Sequence, residues 1–82
     1  MSALADNIIQ YIRSAAPQAG AGLNEQTKLI EGGLLDSLGL IGLVAFLEKT
    51  ENIVIRDEDV LPSNFESVGT ITRLVERIKQ NS

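Results

Sequence analysis

From Leu38 to Leu47 the chain carries no acid, and almost every position is apolar or small: Leu38, Gly39, Leu40, Ile41, Gly42, Leu43, Val44, Ala45, Phe46, Leu47. Asp36 and Ser37 precede this stretch and Glu48 closes it. A carboxylate at Asp36 accepts backbone N–H bonds from a first helical turn, so the spacing predicts a helix from Ser37 to about Thr50 with Asp36 as its N-cap. Leu38, Ile41, Ala45 and Glu48 mark one stripe of that helix, and Leu40, Leu43, Val44 and Leu47 mark others. It is therefore apolar over more than half its circumference. A chain of 82 residues buries only a modest core and has few ways to cover such a helix, so part of this surface is expected to face solvent.

The flanking segments are built to pack on it. Leu4, Ile8, Ile9 and Ile12 recur at helical spacing, with Tyr11 close to the same face, and predict a first helix over Ala3 to about Ala15. Pro17 and the small residues Ala19, Gly20, Ala21 and Gly22 end it. The loop that follows holds Leu23, Leu29 and Ile30, which are expected to pin it across the other elements. Ser67 caps a last helix, Val68 to about Lys79, with Ile71, Leu74, Val75 and Ile78 on one face. Glu66 lies near its N-terminal end and Arg77 and Lys79 near the other, as the helix dipole prefers. Ile53-Val54-Ile55 has strand composition but no second strand to pair with, and reads as an extended loop. It leads to Asp57, expected to cap a short turn through Glu58, Asp59 and Val60 that Pro62 stops. The expected fold is all-α, a small four-helix bundle of three principal helices plus one short one, in a single domain over residues 1–82. Phe46, Leu47, Phe65, Ile71 and Leu74 are its expected core.

Charge and composition exclude several classes of function. Seven basic against eleven acidic residues give a net charge of −4, the wrong balance for a nucleic-acid binder. The chain has no Cys and no His, hence no disulfide, no thiolate metal site and no obvious nucleophile–base pair. No tract is apolar enough to span a membrane, and the first residues lack the basic start of a signal peptide, so a cytoplasmic protein is expected. The cluster Asp57, Glu58, Asp59 lacks the twelve-residue loop and closing Glu of a calcium site, and no cleft turns it into a hydrolase pair. No metal is expected. Tyr11 reads as a packing residue with its hydroxyl at the surface.

The run Gly32-Gly33-Leu34-Leu35-Asp36-Ser37-Leu38, near the middle of so short a chain, resembles the acyl carrier protein family, including its stand-alone acyl, peptidyl and aminoacyl carriers. The likeness extends through Phe46-Leu47-Glu48, Ile53-x-Ile55, the acidic turn and Phe65. It implies that Ser37 carries 4'-phosphopantetheine, attached from coenzyme A by a phosphopantetheinyl transferase that recognises Asp36. The chain would then hold an acyl or aminoacyl group as a thioester and would itself catalyse nothing. Partners implied are that transferase, an adenylating acyl or aminoacyl ligase, and a downstream acyltransferase or condensing enzyme, acting on a monomeric carrier.

Carriers of fatty-acid synthesis present carboxylates on the helix after the serine. Here Gly39 and Gly42 stand at two such positions, so partner contact is expected through the apolar Leu38, Leu40, Ile41 and Val44. That favours an aminoacyl carrier loaded by an adenylating ligase, with a fatty-acid or polyketide-type acyl carrier as the alternative. Each internal glycine costs a helix about 1 kcal/mol relative to alanine; either it lets a partner or arm come close, or it is tolerated locally. From spacing alone Ser37 could equally be an exposed first-turn serine behind an ordinary cap. On that view the chain is an unmodified helical interaction domain that binds a partner or self-associates, Leu40 and Val44 marking the face.

Overall fold

The computed structural model describes residues 3–17 and 22–81. In chain order these form α1 (Ala3–Ala15), α2 (Ser37–Glu51), two 3₁₀ turns (Asp57–Asp59 and Pro62–Asn64) and α3 (Val68–Gln80). No β-strand occurs among the described residues, and Ile53-Val54-Ile55 is irregular backbone. The all-helical expectation therefore stands, with one more short turn than the sequence suggested. Ala19, Gly20 and Ala21, expected to end α1, lie outside the described residues.

One side of each long helix supplies the core. Ala5, Ile8 and Ile12 come from α1, Leu43 and Leu47 from α2, and Val68, Ile71, Leu74 and Val75 from α3, all at most 2% exposed. Phe65, at 0%, enters from the segment before α3. Full burial of each large side chain contributes about 1.5–3 kcal/mol. Residues at i, i+3 and i+4 share a helix face, so α1 and α3 bury one stripe and leave a polar one to solvent. In α2 the buried pair Leu43 and Leu47 is flanked by Leu40, Val44 and Phe46, which are half-buried against the core.

The connection from α1 to α2 is stitched to the entrance of α3. Leu29 is fully buried; its N–H donates to the Glu66 carbonyl at 2.8 Å, and the Gly69 N–H donates to the Glu25 carbonyl at 2.9 Å. Lys28 pairs with Glu66. The hydrogen bond from Glu66, followed by its charge, raises the Lys28 pKa above the ordinary 10.5. Leu23 is buried as well, but Ile30 is 38% exposed: the turn it opens points it outward, so two of the three expected pins hold the loop.

Beyond Leu29 the chain turns sharply. The N–H groups of Leu34 and Leu35 both donate to the Leu29 carbonyl, at 2.8 and 3.0 Å. Gly33 adopts φ +75°, and a Cβ on Gly32 would fall 2.5 Å from the Lys28 carbonyl oxygen. Side chains at both positions would oppose the turn, which delivers buried Leu35 and then Asp36 to the start of α2.

Two readings of the acidic turn need correction. The N-cap of the first 3₁₀ turn is Arg56, with Asp57 as its first residue. The Arg56 N–H donates to the Asp59 carboxylate at 3.3 Å. Pro62 follows that turn but also opens the second one, at its first position, where a missing N–H and fixed φ suit it.

Candidate functional site

Asp36 has extended backbone (φ −103°, ψ −174°), as an N-cap requires, and its Oδ1 accepts the Gly39 N–H at 2.7 Å. The Asp36 carbonyl accepts the Leu40 N–H at 2.8 Å. Ser37 is thereby fixed as the first residue of α2. It is exposed, and among the described residues none takes up its hydroxyl. This end of α2 carries the positive pole of the helix dipole, and no acid lies in its first turn beyond the cap. A phosphodiester on Ser37 Oγ fits here: the oxygen is reachable and uncommitted, and nearby amides and dipole favour negative charge.

The four apolar residues expected to meet partners do not share one face. Leu38 is 80% and Ile41 67% exposed, whereas Leu40 and Val44 lie half-buried against the core.

The glycines of α2 have separate reasons. A Cβ on Gly39 would sit 3.2 Å from Asp36 Oδ1 and 3.3 Å from Leu35 Cδ1, crowding the cap. One on Gly42 would sit 2.4 Å from the Tyr11 hydroxyl oxygen. What comes close to Gly42 is thus the chain's own Tyr11, whose ring packs on Phe46 with centroids 4.8 Å apart. The Tyr11 hydroxyl, expected merely at the surface, lies over α2.

Sequence reasoning missed the work of Glu48. Its Oε2 accepts the Ile55 N–H at 2.8 Å, holding the chain that leaves α2 back against the helix. Asn52 at φ +56° ends the helix in left-handed conformation. Glu51 pairs with Lys79 of α3 at 2.5 Å.

An open groove of about 610 Å³ lies among Asn52, Val54, Arg56, Arg77 and Asn81, at the C-terminal ends of α2 and α3. That is about 20 Å along α2 from Ser37 at 1.5 Å per residue. Two further grooves lie beside Tyr11 and Phe46 and beside Asp6 and Leu23. Ser37 and Leu38 line none of the three. Among the described residues no helix is long and apolar enough to cross a membrane, and no cluster of three or more Asp, Glu, His or Cys gathers to hold a metal ion.

No family model matches the chain. It is similar to the probable acyl carrier protein PigG of Serratia sp. (strain ATCC 39006), at 36% identity over 58 residues, or 71% of this chain and 67% of that protein. Among solved structures it is similar to a chain in the crystal structure of FAD-dependent dehydrogenase. The TM-score there is 0.77 at 30% identity, covering 84% of this chain and 99% of the other.

Proposed function

The chain belongs to the acyl carrier protein family, a carrier and not a catalyst, and from that premise we propose that Ser37 is its site of 4'-phosphopantetheine attachment. The observation that carries the reading is the uncommitted, exposed Ser37 hydroxyl at the capped start of α2. During loading, Ser37 Oγ forms the new P–O bond to the phosphopantetheine phosphorus as adenosine 3',5'-bisphosphate departs. The hydroxyl proton passes to a base of the transferase. Asp36 positions Ser37 through its bond to Gly39 and presents its carboxylate to the transferase. Once attached, the group supplies a thiol able to hold an acyl or aminoacyl cargo as a thioester. The first turn of α2 holds its phosphodiester near the positive dipole end.

For the cargo, we infer an acyl or aminoacyl group activated by an adenylating ligase. The stretch from Leu38 to Leu47 offers no carboxylate to a basic partner, and the Glu48 carboxylate is engaged by Ile55. We also count a flavin-dependent dehydrogenase among the partner enzymes. The structurally similar chain is shorter than this one, because 84% of this chain covers 99% of it. So small a chain has no room for the α/β domain that binds a dinucleotide, and we read it as a carrier solved with the dehydrogenase.

The test is intact mass after incubation with coenzyme A and a broad-specificity phosphopantetheinyl transferase. The parent should gain one phosphopantetheinyl group and Ser37→Ala none. A folded parent that gains nothing, or a Ser37→Ala variant that still gains it, rules out the assignment and returns the unmodified interaction domain.

A further inference from the structure

Gly39, the third residue of α2, gives up two sources of local stability. Alanine there would favour the helix, and Glu or Gln at this position would reach back to the N-cap N–H in a reciprocal cap. The chain closes the start of α3 in that way, Ser67 and Thr70 exchanging hydrogen bonds at 3.0 and 3.3 Å. At α2 only one half is made. Asp36 Oδ1 accepts the Gly39 N–H at 2.7 Å, and the Asp36 N–H bonds to nothing among the described residues. What a side chain would displace supplies the reason. A Cβ on Gly39 would stand 3.3 Å from Leu35 Cδ1 and 3.2 Å from Asp36 Oδ1, inside the about 3.5–4.0 Å at which carbon atoms pack best. Leu35 is 6% exposed and its N–H is tied to the Leu29 carbonyl at 3.0 Å, so it has little room to retreat. Asp36 is exposed, and it is the group that yields. Both residues lie immediately before Ser37, one seating the turn and the other capping the helix. A side chain at Gly42, by contrast, would meet only Tyr11.

Resting on the carrier reading above, we propose that Gly39 is a positioning residue for the modification of Ser37. Its bare Cα leaves Asp36 Oδ1 the place from which it holds the first turn of α2. That turn fixes where Ser37 Oγ meets the phosphopantetheine phosphorus as the bond to adenosine 3',5'-bisphosphate breaks and the hydroxyl proton passes to the transferase. Gly39 touches neither coenzyme A nor the reacting oxygen and acts through Asp36. A displaced cap loosens the first turn, and displacement at phosphorus loses rate steeply when the nucleophile is misplaced. The loss therefore falls on kcat. Binding of the carrier to the transferase is spread over many contacts, so KM changes little.

The experiment measures kcat and KM for loading of the full chain by a broad-specificity phosphopantetheinyl transferase at saturating coenzyme A, with product counted by intact mass. Gly39→Ala and Gly39→Gln are each expected to lower kcat at least about fivefold and to leave KM within about twofold. Gly42→Ala, which crowds Tyr11 and not the cap, should keep both constants within about twofold although it is less stable. Circular dichroism checks that each variant is folded. Parent-like kcat in either Gly39 variant overturns the proposal. So does a loss confined to KM, which would make position 39 a contact of the transferase, or an equal fall of kcat in Gly42→Ala. The cap is also read without the transferase, from the amide proton resonance of residue 39. Asp36→Ala should move that resonance in the parent, and by less than about half as much in the Gly39→Ala background. Equal movements would mean that the bond survives a side chain, and would overturn the proposal whether or not the parent loads. A folded parent that does not load counts against the carrier reading, whatever the resonance shows.

Discussion

Gly42 illustrates how a single contact decides a residue. Alanine there would gain about 1 kcal/mol of helix propensity, but its Cβ would meet the Tyr11 hydroxyl oxygen at 2.4 Å. Overpacking of this kind costs about 1–3 kcal/mol, and stacking on Phe46 limits how far the ring can retreat. Gly42→Ala should therefore destabilise the chain by about 1 kcal/mol in urea unfolding. Tyr11→Phe removes the offending oxygen and leaves the ring carbon 3.8 Å from the added methyl, an ordinary contact. In that background the same Gly42→Ala change should stabilise. A double-mutant coupling under about 0.5 kcal/mol would show that the hydroxyl is not what keeps this position glycine. Asp36 poses the parallel question for loading, because it is both cap and proposed recognition site. Asparagine caps about as well as aspartate, so Asp36→Asn should keep the unfolding midpoint while slowing phosphopantetheine transfer at least tenfold. Equal loading rates would reduce Asp36 to a cap.

At the scale of elements, the helices were readable because their information is local. The spacing of Ile8 and Ile12, or of Ile71, Leu74 and Val75, states both the helix and its buried face, and Asp36 and Ser67 mark where two of them start. The Ser67 cap is reinforced by Thr70, whose N–H donates to Ser67 Oγ at 3.3 Å while its own Oγ1 accepts the Ser67 N–H at 3.0 Å. What escaped was non-local. No periodicity announces that Tyr11 will lie over Gly42, or that Glu48 will turn from its stripe to accept the Ile55 N–H. The spacing of α2 already parts Leu38 and Ile41 from Leu40 and Val44, but in a helix so apolar all round it does not say which stripe is covered. The packing of the rest of the chain decides that. Glu48 offers a direct test of such a tie. A hydrogen bond to a charged group contributes about 1.5–3 kcal/mol when well placed, so Glu48→Ala should cost about that, toward the lower end because the site is only half-buried. Glu48→Gln keeps an acceptor oxygen and should lose less than half as much. Equal losses in the two variants would assign the effect to packing of the side-chain stem.

For the molecule as a whole, the division of apolar surface decides between a carrier that visits its partners and a domain that pairs with itself. The net charge of −4 disfavours close approach of two copies, although weakly at physiological salt. The exposed apolar part of α2 is Leu38, Ile41 and Ala45, with Leu40 and Val44 already packed against the core. A stable interface takes about 800 Å² and about 20–30 residues from each partner, and three side chains on one stripe fall far short of that. The same small stripe suits brief, repeated contact with enzymes, where fast release matters as much as affinity. Sedimentation equilibrium of the unloaded chain should accordingly give a single species of monomer mass from about 10 to 500 μM, a range that reaches below and above weak dimer affinities. Ile41→Asp should leave that result unchanged. A concentration-dependent dimer abolished by Ile41→Asp would mean that the stripe is covered by a second copy of the chain, and would place docking on partner enzymes in competition with self-association.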